Sequence, residues 1–94
     1  MAGSPPKIYN VTCTNANQEY SQPLTSFTSV FDIKPRDPGA DIKVAFISGQ
    51  SGTVYWTVFG GASDQQIGPF AGVLTVYFQT TTAGAVVEII EKVR

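Results

Sequence analysis

The chain has 94 residues, six of them basic and seven acidic, for a net charge of −1 and a pI near 5.0. That length holds one domain, and that charge excludes a nucleic-acid binder working by phosphate neutralisation, which needs clustered Lys and Arg. The absence of histidine excludes imidazole-dependent catalysis, and Cys13, the single cysteine, excludes an intrachain disulfide.

In chain order, Met1 to Pro6 reads as a flexible arm without the apolar stretch of a signal peptide. Residues 7–94 read as one folded domain. Lys7 to Thr14 predicts a first strand through Ile8, Val11, Thr12 and Cys13, followed by a turn at Asn15-Ala16-Asn17. Gln18 to Leu24 predicts a short polar edge strand, because Pro23 cannot donate to a central ladder. In Phe27 to Lys34 the period of two puts Phe27, Ser29, Phe31 and Ile33 on one face. Pro35 to Asp41 carries a Pro-Gly step between aspartates, the pattern of a tight turn with a positive-φ glycine.

Ile42 to Ile47 and Thr53 to Phe59 then flank Ser48-Gly49-Gln50-Ser51-Gly52, which predicts a β-hairpin. Gly60 to Gln66 reads as a loop, and Ile67 to Gly72 as a brief strand or bend. Val73 to Gln79 predicts a strand, Thr80 to Gly84 a turn, and Ala85 to Val93 a closing strand. The spacing of Val86, Val87, Ile90 and Val93 also fits a helical stripe. The β-branched content and the preceding turn favour a strand. The uncharged run from Gln65 to Val87 is broken throughout by Gln, Pro, Gly and Thr, which excludes a membrane helix there. The expected fold is all-β: a single small antiparallel β-sandwich or jelly-roll-like barrel of seven to eight strands.

The alternation assigns Ile42, Val44, Phe46, Val54, Trp56, Val58, Leu74, Val76, Phe78, Val87 and Ile89 to the core face. The opposite face still carries Ala45, Ile47, Tyr55, Phe59, Tyr77, Val86 and Ile90 among Lys43, Thr57, Thr75, Gln79 and Glu88. That face is too apolar for free solvation. Either it is a contact surface, or the chain's own loops, such as Ile67 to Phe70, cover it. Ile47, Tyr55, Phe59, Tyr77, Val86 and Ile90 are the candidate interface residues. A chain of this size buries only about 60–65% of its unfolded surface, and with no disulfide available, self-association is the stabiliser left to it.

Candidate chemistry is sparse. Cys13 lies in a strand with no basic neighbour and reads as an inert buried thiol. Asp37 and Asp41 flank the Pro-Gly turn, but their spacing matches no calcium loop, and turn aspartates ordinarily bond their own backbone. Asp32 is expected to be solvated or paired with Lys34 or Lys43. Asn10-Val11-Thr12 matches a glycosylation sequon without a secretory context, and the glycines form no phosphate loop. Trp56 invites a sugar-stacking role, but its place on the core-type face makes it packing. No catalytic residue, cofactor or metal is expected.

Ile8 to Cys13, Glu19 to Leu24, Asp41 to Phe46, Ser51-Gly52-Thr53 and Thr80 to Ala85 together resemble small tailed-bacteriophage proteins similar to capsid decoration (cement) or fibre-base proteins. The resemblance implies a non-enzymatic virion protein, made in the bacterial cytoplasm and placed on the particle exterior. It would act as a dimer or trimer that contacts the major capsid protein or another virion protein, with no nucleic acid or membrane partner. The competing reading is a glycan-binding or receptor-binding module of a phage tail or secreted protein.

Overall fold

The computed structural model describes residues 6–24, 28–61, 64–67 and 74–93. They form eight strands: β1 Lys7–Cys13, β2 Tyr20–Pro23, β3 Thr28–Pro35, β4 Ile42–Ala45, β5 Trp56–Val58, β6 Asp64–Ile67, β7 Thr75–Thr80 and β8 Ala85–Val93. All pairings are antiparallel, in two four-stranded sheets ordered β1-β8-β3-β6 and β2-β7-β4-β5. That pair of orders is the connectivity of an eight-stranded jelly roll. Contacts of β1 with β2 and of β3 with β5 stack the sheets strand over strand. The result is a sandwich of 42 × 24 × 18 Å.

The core follows from the period of two. Phe31, Ile33, Val87, Ile89 and Cys13 point inward from the first sheet and meet Ile42, Val44, Val58, Val76 and Phe78 from the second; all are buried, with Leu24 closing one end. Ala85–Val93 is a strand, held between β1 and β3 along its length. Pro23 ends β2 at the edge of its sheet, as its missing N–H requires.

Several expectations need correction. Asp64–Ile67 is a strand, where the sequence suggests a loop running through Gln66; it pairs with β3 across a slip in register between Phe31 and Ile33. The polar run Asp64-Gln65-Gln66 carries no β signal of its own, so its conformation comes from that pairing. Phe27, Ile67's neighbours 68–72 and Val73 lie outside the described residues. The turn at 35–41 closes through Ala40 N–H to the Asp37 carbonyl (3.0 Å), and Gly39 does not take a positive φ.

The hairpin β4–β5 is present but shorter than expected. Residues 46–55 leave the ladder and form a long loop around Gly49, which has φ 86°. The loop folds back over the outer face of its own sheet. Gln79 points outward from β7 and is nonetheless buried beneath it, as is Ala45, and Tyr77 and Lys43 are half-buried. The chain therefore covers part of its second apolar face itself, and residues 46–55 do it.

Candidate functional site

A polar staple fixes the covering loop. The Glu19 carboxylate, just before β2, accepts from Gly49 N–H (2.8 Å), Ser51 N–H (3.1 Å) and Ser51 Oγ (2.6 Å). Ser51 is fully buried, and its Oγ also lies 3.3 Å from the Gln79 side-chain amide. Three donors converging on one carboxylate favour its charged form. Hydrogen bonding from Ser51 chiefly, with the two amides, holds Glu19 below its ordinary range against a smaller opposing effect of burial. Backbone bonds from Gln50 N–H to Ile47 O and from Thr53 and Val54 N–H to Gln50 O complete the loop. The Lys43 ammonium stands 4.9 Å from the centre of the Tyr55 ring, a cation–π contact that holds the ring over the sheet.

So fixed, the loop presents apolar side chains to water. Val44, Ala45, Phe46, Ile47, Gln50, Val54, Tyr55 and Trp56 line an open groove of about 250 Å³. Ile47 is 60% exposed, Val54 66% and Trp56 53%. Val54, Trp56 and Phe46 therefore depart from their expected place in the core; of the three β5-side residues assigned inward, only Val58 is buried. Trp56 does sit on the inward face, opposite Val44. But β5 is the three-residue edge of its sheet, and at Trp56 the sandwich ends before the indole is covered. Phe46 is half-covered by Phe31, whose ring meets it edge-on at 6.3 Å.

The six candidate interface residues do not form one surface. Ile47 and Tyr55 line the groove. Phe59, also exposed, lies three positions beyond Trp56, about 10 Å along the strand direction. Tyr77 is half-buried opposite Ala45. Val86 and Ile90 belong to the other sheet, on the outer face of β8, where they pair with Thr12 and Ile8 of β1. That second face has a groove of its own, about 310 Å³, lined by Ile8, Asp32, Lys34, Glu88, Ile89 and Ile90. Its carboxylates are engaged: Glu88 with Lys34 (3.2 Å) and Arg36 (2.8 Å), and Asp32 with Lys92 (3.6 Å). Arg36 first and Lys34 second hold Glu88 below its ordinary range.

The remaining reactive groups have structural roles. Cys13 is buried, and desolvation pushes its thiol up, away from the reactive thiolate. Asp37 Oδ1 accepts from Gly39 N–H and Asp41 Oδ1 from Gly60 N–H, both at 2.8 Å, so the two aspartates cap separate turns. Among the described residues no group of three or more His, Cys, Asp or Glu is placed to hold a metal ion. Glu91 is fully buried and accepts from Tyr9 Oη at 2.7 Å. The period of two places it inward, in line with Val87 and Ile89, and the Tyr9 hydroxyl supplies a partner for its buried carboxylate.

Comparison with family models, with curated proteins and with solved structures gave no match. The class defined by the chain's own residues is an antiparallel jelly-roll domain with an apolar groove at one sheet edge.

Proposed function

We propose that this is a non-enzymatic structural protein that docks onto a larger assembly through the groove of the 46–55 loop. The observation that carries the reading is the groove's lining. Ile47, Val54 and Tyr55 stand exposed on a loop fixed by a buried polar staple, flanked by Phe46 against Phe31 and by Trp56 at the uncovered edge of β5. At roughly 100 Å² for each half-exposed aromatic or large aliphatic, the five offer an apolar patch of about 500 Å². That is at the upper end for a monomer's surface and large enough to form the centre of a protein–protein contact.

The resemblance to phage decoration proteins makes the assembly a tailed-phage capsid, whose shell the protein would decorate and stabilise from outside. The jelly roll is a frequent architecture of viral structural domains, an analogy of fold that supports this reading without specifying it. The glycan-binding alternative draws on one feature, the half-exposed Trp56 beside Tyr55 and Gln50. Sugar recognition needs several converging polar groups around the stacking ring, and Gln50 is the single side-chain amide of a lining without carboxylates.

The test is co-sedimentation of the protein with purified capsids, repeated with Trp56→Ala and Ile47→Asp. Both positions are exposed, so both variants keep the fold. The expected result is binding by the native chain and at least a tenfold loss in each variant. Undiminished binding by both variants overturns the assignment. Retention on a glycan array, lost in Trp56→Ala and with no affinity for capsids, replaces it with the sugar-binding reading.

A further inference from the structure

The four sheet edges of the sandwich are not equally protected. An open strand edge invites pairing, and proteins guard against it with short strands, proline or bulges. Edge strand β2 has four residues and ends in Pro23; β5 has three; β6 has four and a slipped register. The fourth edge, β1, has none of these guards. It runs seven residues in unbroken register against β8, without proline or bulge. Its one charge is Lys7, at its first position. Among the described residues no strand pairs with its outer side.

The side chains of β1 also look incomplete. The inward residues of its neighbours β8 and β3, namely Val87, Ile89, Phe31 and Ile33, are fully buried, whereas Tyr9 and Val11 on the same face of β1 are half-buried. On the outer face Ile8 is 67% exposed. These are residues whose next-strand neighbour is missing.

We infer that a second copy of this chain supplies that neighbour, β1 pairing antiparallel with β1 about a two-fold axis at Asn10. The strand is self-complementary in this register. Tyr9 meets the second copy's Val11 on the core side, and Ile8 meets its Thr12 on the outer side, pairs of the aromatic and β-branched kinds that favour sheet pairing. Asn10 meets its own counterpart. The two Lys7 ammonium groups fall at opposite ends, about 20 Å apart at the strand rise, well beyond the Debye length. The pairing would join two four-stranded sheets into one of eight. It is independent of what the 46–55 groove binds, but it has a consequence for it. β5 lies at the opposite side of the sandwich from β1, so the dimer carries its two grooves at its two far ends. Such a molecule is bivalent, and on a repetitive surface its second contact forms at high effective concentration.

The test is sedimentation equilibrium over a wide concentration range, on the native chain and on two double variants, Ile8→Lys with Thr12→Lys and Ile8→Glu with Thr12→Glu. Both positions are exposed, and circular dichroism melts confirm folding. The expected result is a reversible native dimer, each double variant weakened at least tenfold, and association restored when the two variants are mixed. The register requires that rescue, because Ile8 of one copy faces Thr12 of the other. A native chain that stays monomeric at the highest concentration overturns the inference, as do double variants that dimerise like the native chain or a mixture that fails to associate. A monomer that pairs through β1 with a capsid protein assigns the edge to that protein instead. Trp56→Ala is expected to leave dimerisation unchanged, so a failed groove and a failed edge give different results.

Discussion

Replacing Glu19 with Ala removes the acceptor of three hydrogen bonds, and their surroundings set the cost. Gly49 is exposed, so water replaces its lost partner at little expense. Ser51 is fully buried and loses the acceptor of both its N–H and its hydroxyl. An orphaned buried polar group costs about 1–3 kcal/mol. The Gln79 amide beside Ser51 Oγ recovers part of that for the hydroxyl, leaving a net loss of about 2–3 kcal/mol. For a domain of 94 residues this lowers Tm by about 10–20 °C. Glu19→Gln keeps an acceptor oxygen and is expected to lose about 1 kcal/mol, as is Ser51→Ala, which removes the hydroxyl and leaves the amide bonded. The double variant Glu19→Ala with Ser51→Ala should be less destabilised than the sum of the two, since both delete the same bond. The pH dependence has a definite sign. The folded carboxylate is held below its ordinary value of 4.5, so its contribution is complete above that value and fades as pH falls through the lower folded one. Glu19→Gln should flatten this acid limb. Urea melts between pH 3 and 7 measure all of it. A Glu19→Ala variant within about 0.5 kcal/mol of the native chain, or a strictly additive double variant, refutes the staple.

Three further outcomes follow from other parts of the fold. Gly60→Ala places a Cβ against the carbonyl oxygen of Pro38 and 2.8 Å from that of Ala40; both are backbone atoms of a closed turn, so the expected cost is about 2–3 kcal/mol, read by urea melts, and a neutral result contradicts the close approach. The Tyr9 phenol, pushed up to about 12 by burial and by its bond to Glu91, keeps its proton more tightly folded than unfolded, so stability is complete below pH 10 and declines between about 10 and 12; ultraviolet titration should show this late phenol, and Tyr9→Phe should remove it. Phe78→Ala empties a fully buried ring site at about 3–5 kcal/mol, much of the total stability expected for this size, so its denaturation midpoint should fall sharply; a small shift would mean that the two sheets collapse around the void.

The strands were legible where alternation and β-branching agree, as in Phe31-Asp32-Ile33 and Val87-Glu88-Ile89. The jelly-roll order was less so, because pairing partners such as Tyr9 and Ile89 are 80 positions apart and no local pattern links them. Trp56 shows the physical limit most clearly. The period of two places it on the inward face correctly, but burial depends on whether the opposite sheet extends beneath it, and at a three-residue edge strand it does not. Glu19 and Ser51 are 32 positions apart, so the staple gave no signal, and without it Ser48-Gly49-Gln50-Ser51-Gly52 looks like the whole turn. Gly39 fails differently: the Asp37 side chain caps the turn, which then closes without a left-handed residue.

The position of the staple bears on how the groove could bind at all. Ordering a flexible backbone costs about 1–2 kcal/mol per residue, and ten residues, 46–55, separate β4 from β5. A loose loop of that length would consume most of the energy that a 500 Å² patch returns on docking. Here the ordering is achieved on folding, by the Glu19 bonds on one side and by Lys43 on the Tyr55 ring on the other. Glu19 does not line the groove, yet Glu19→Ala should weaken docking at temperatures where the variant is still fully folded. The loss should appear mainly as slower association, because fewer molecules present the groove at any moment. Trp56→Ala removes contact area instead and should act mainly on dissociation. Surface-plasmon kinetics on immobilised capsids separates the two. If Glu19→Ala binds with native association kinetics while folded, the groove is shaped by the partner and not by the chain.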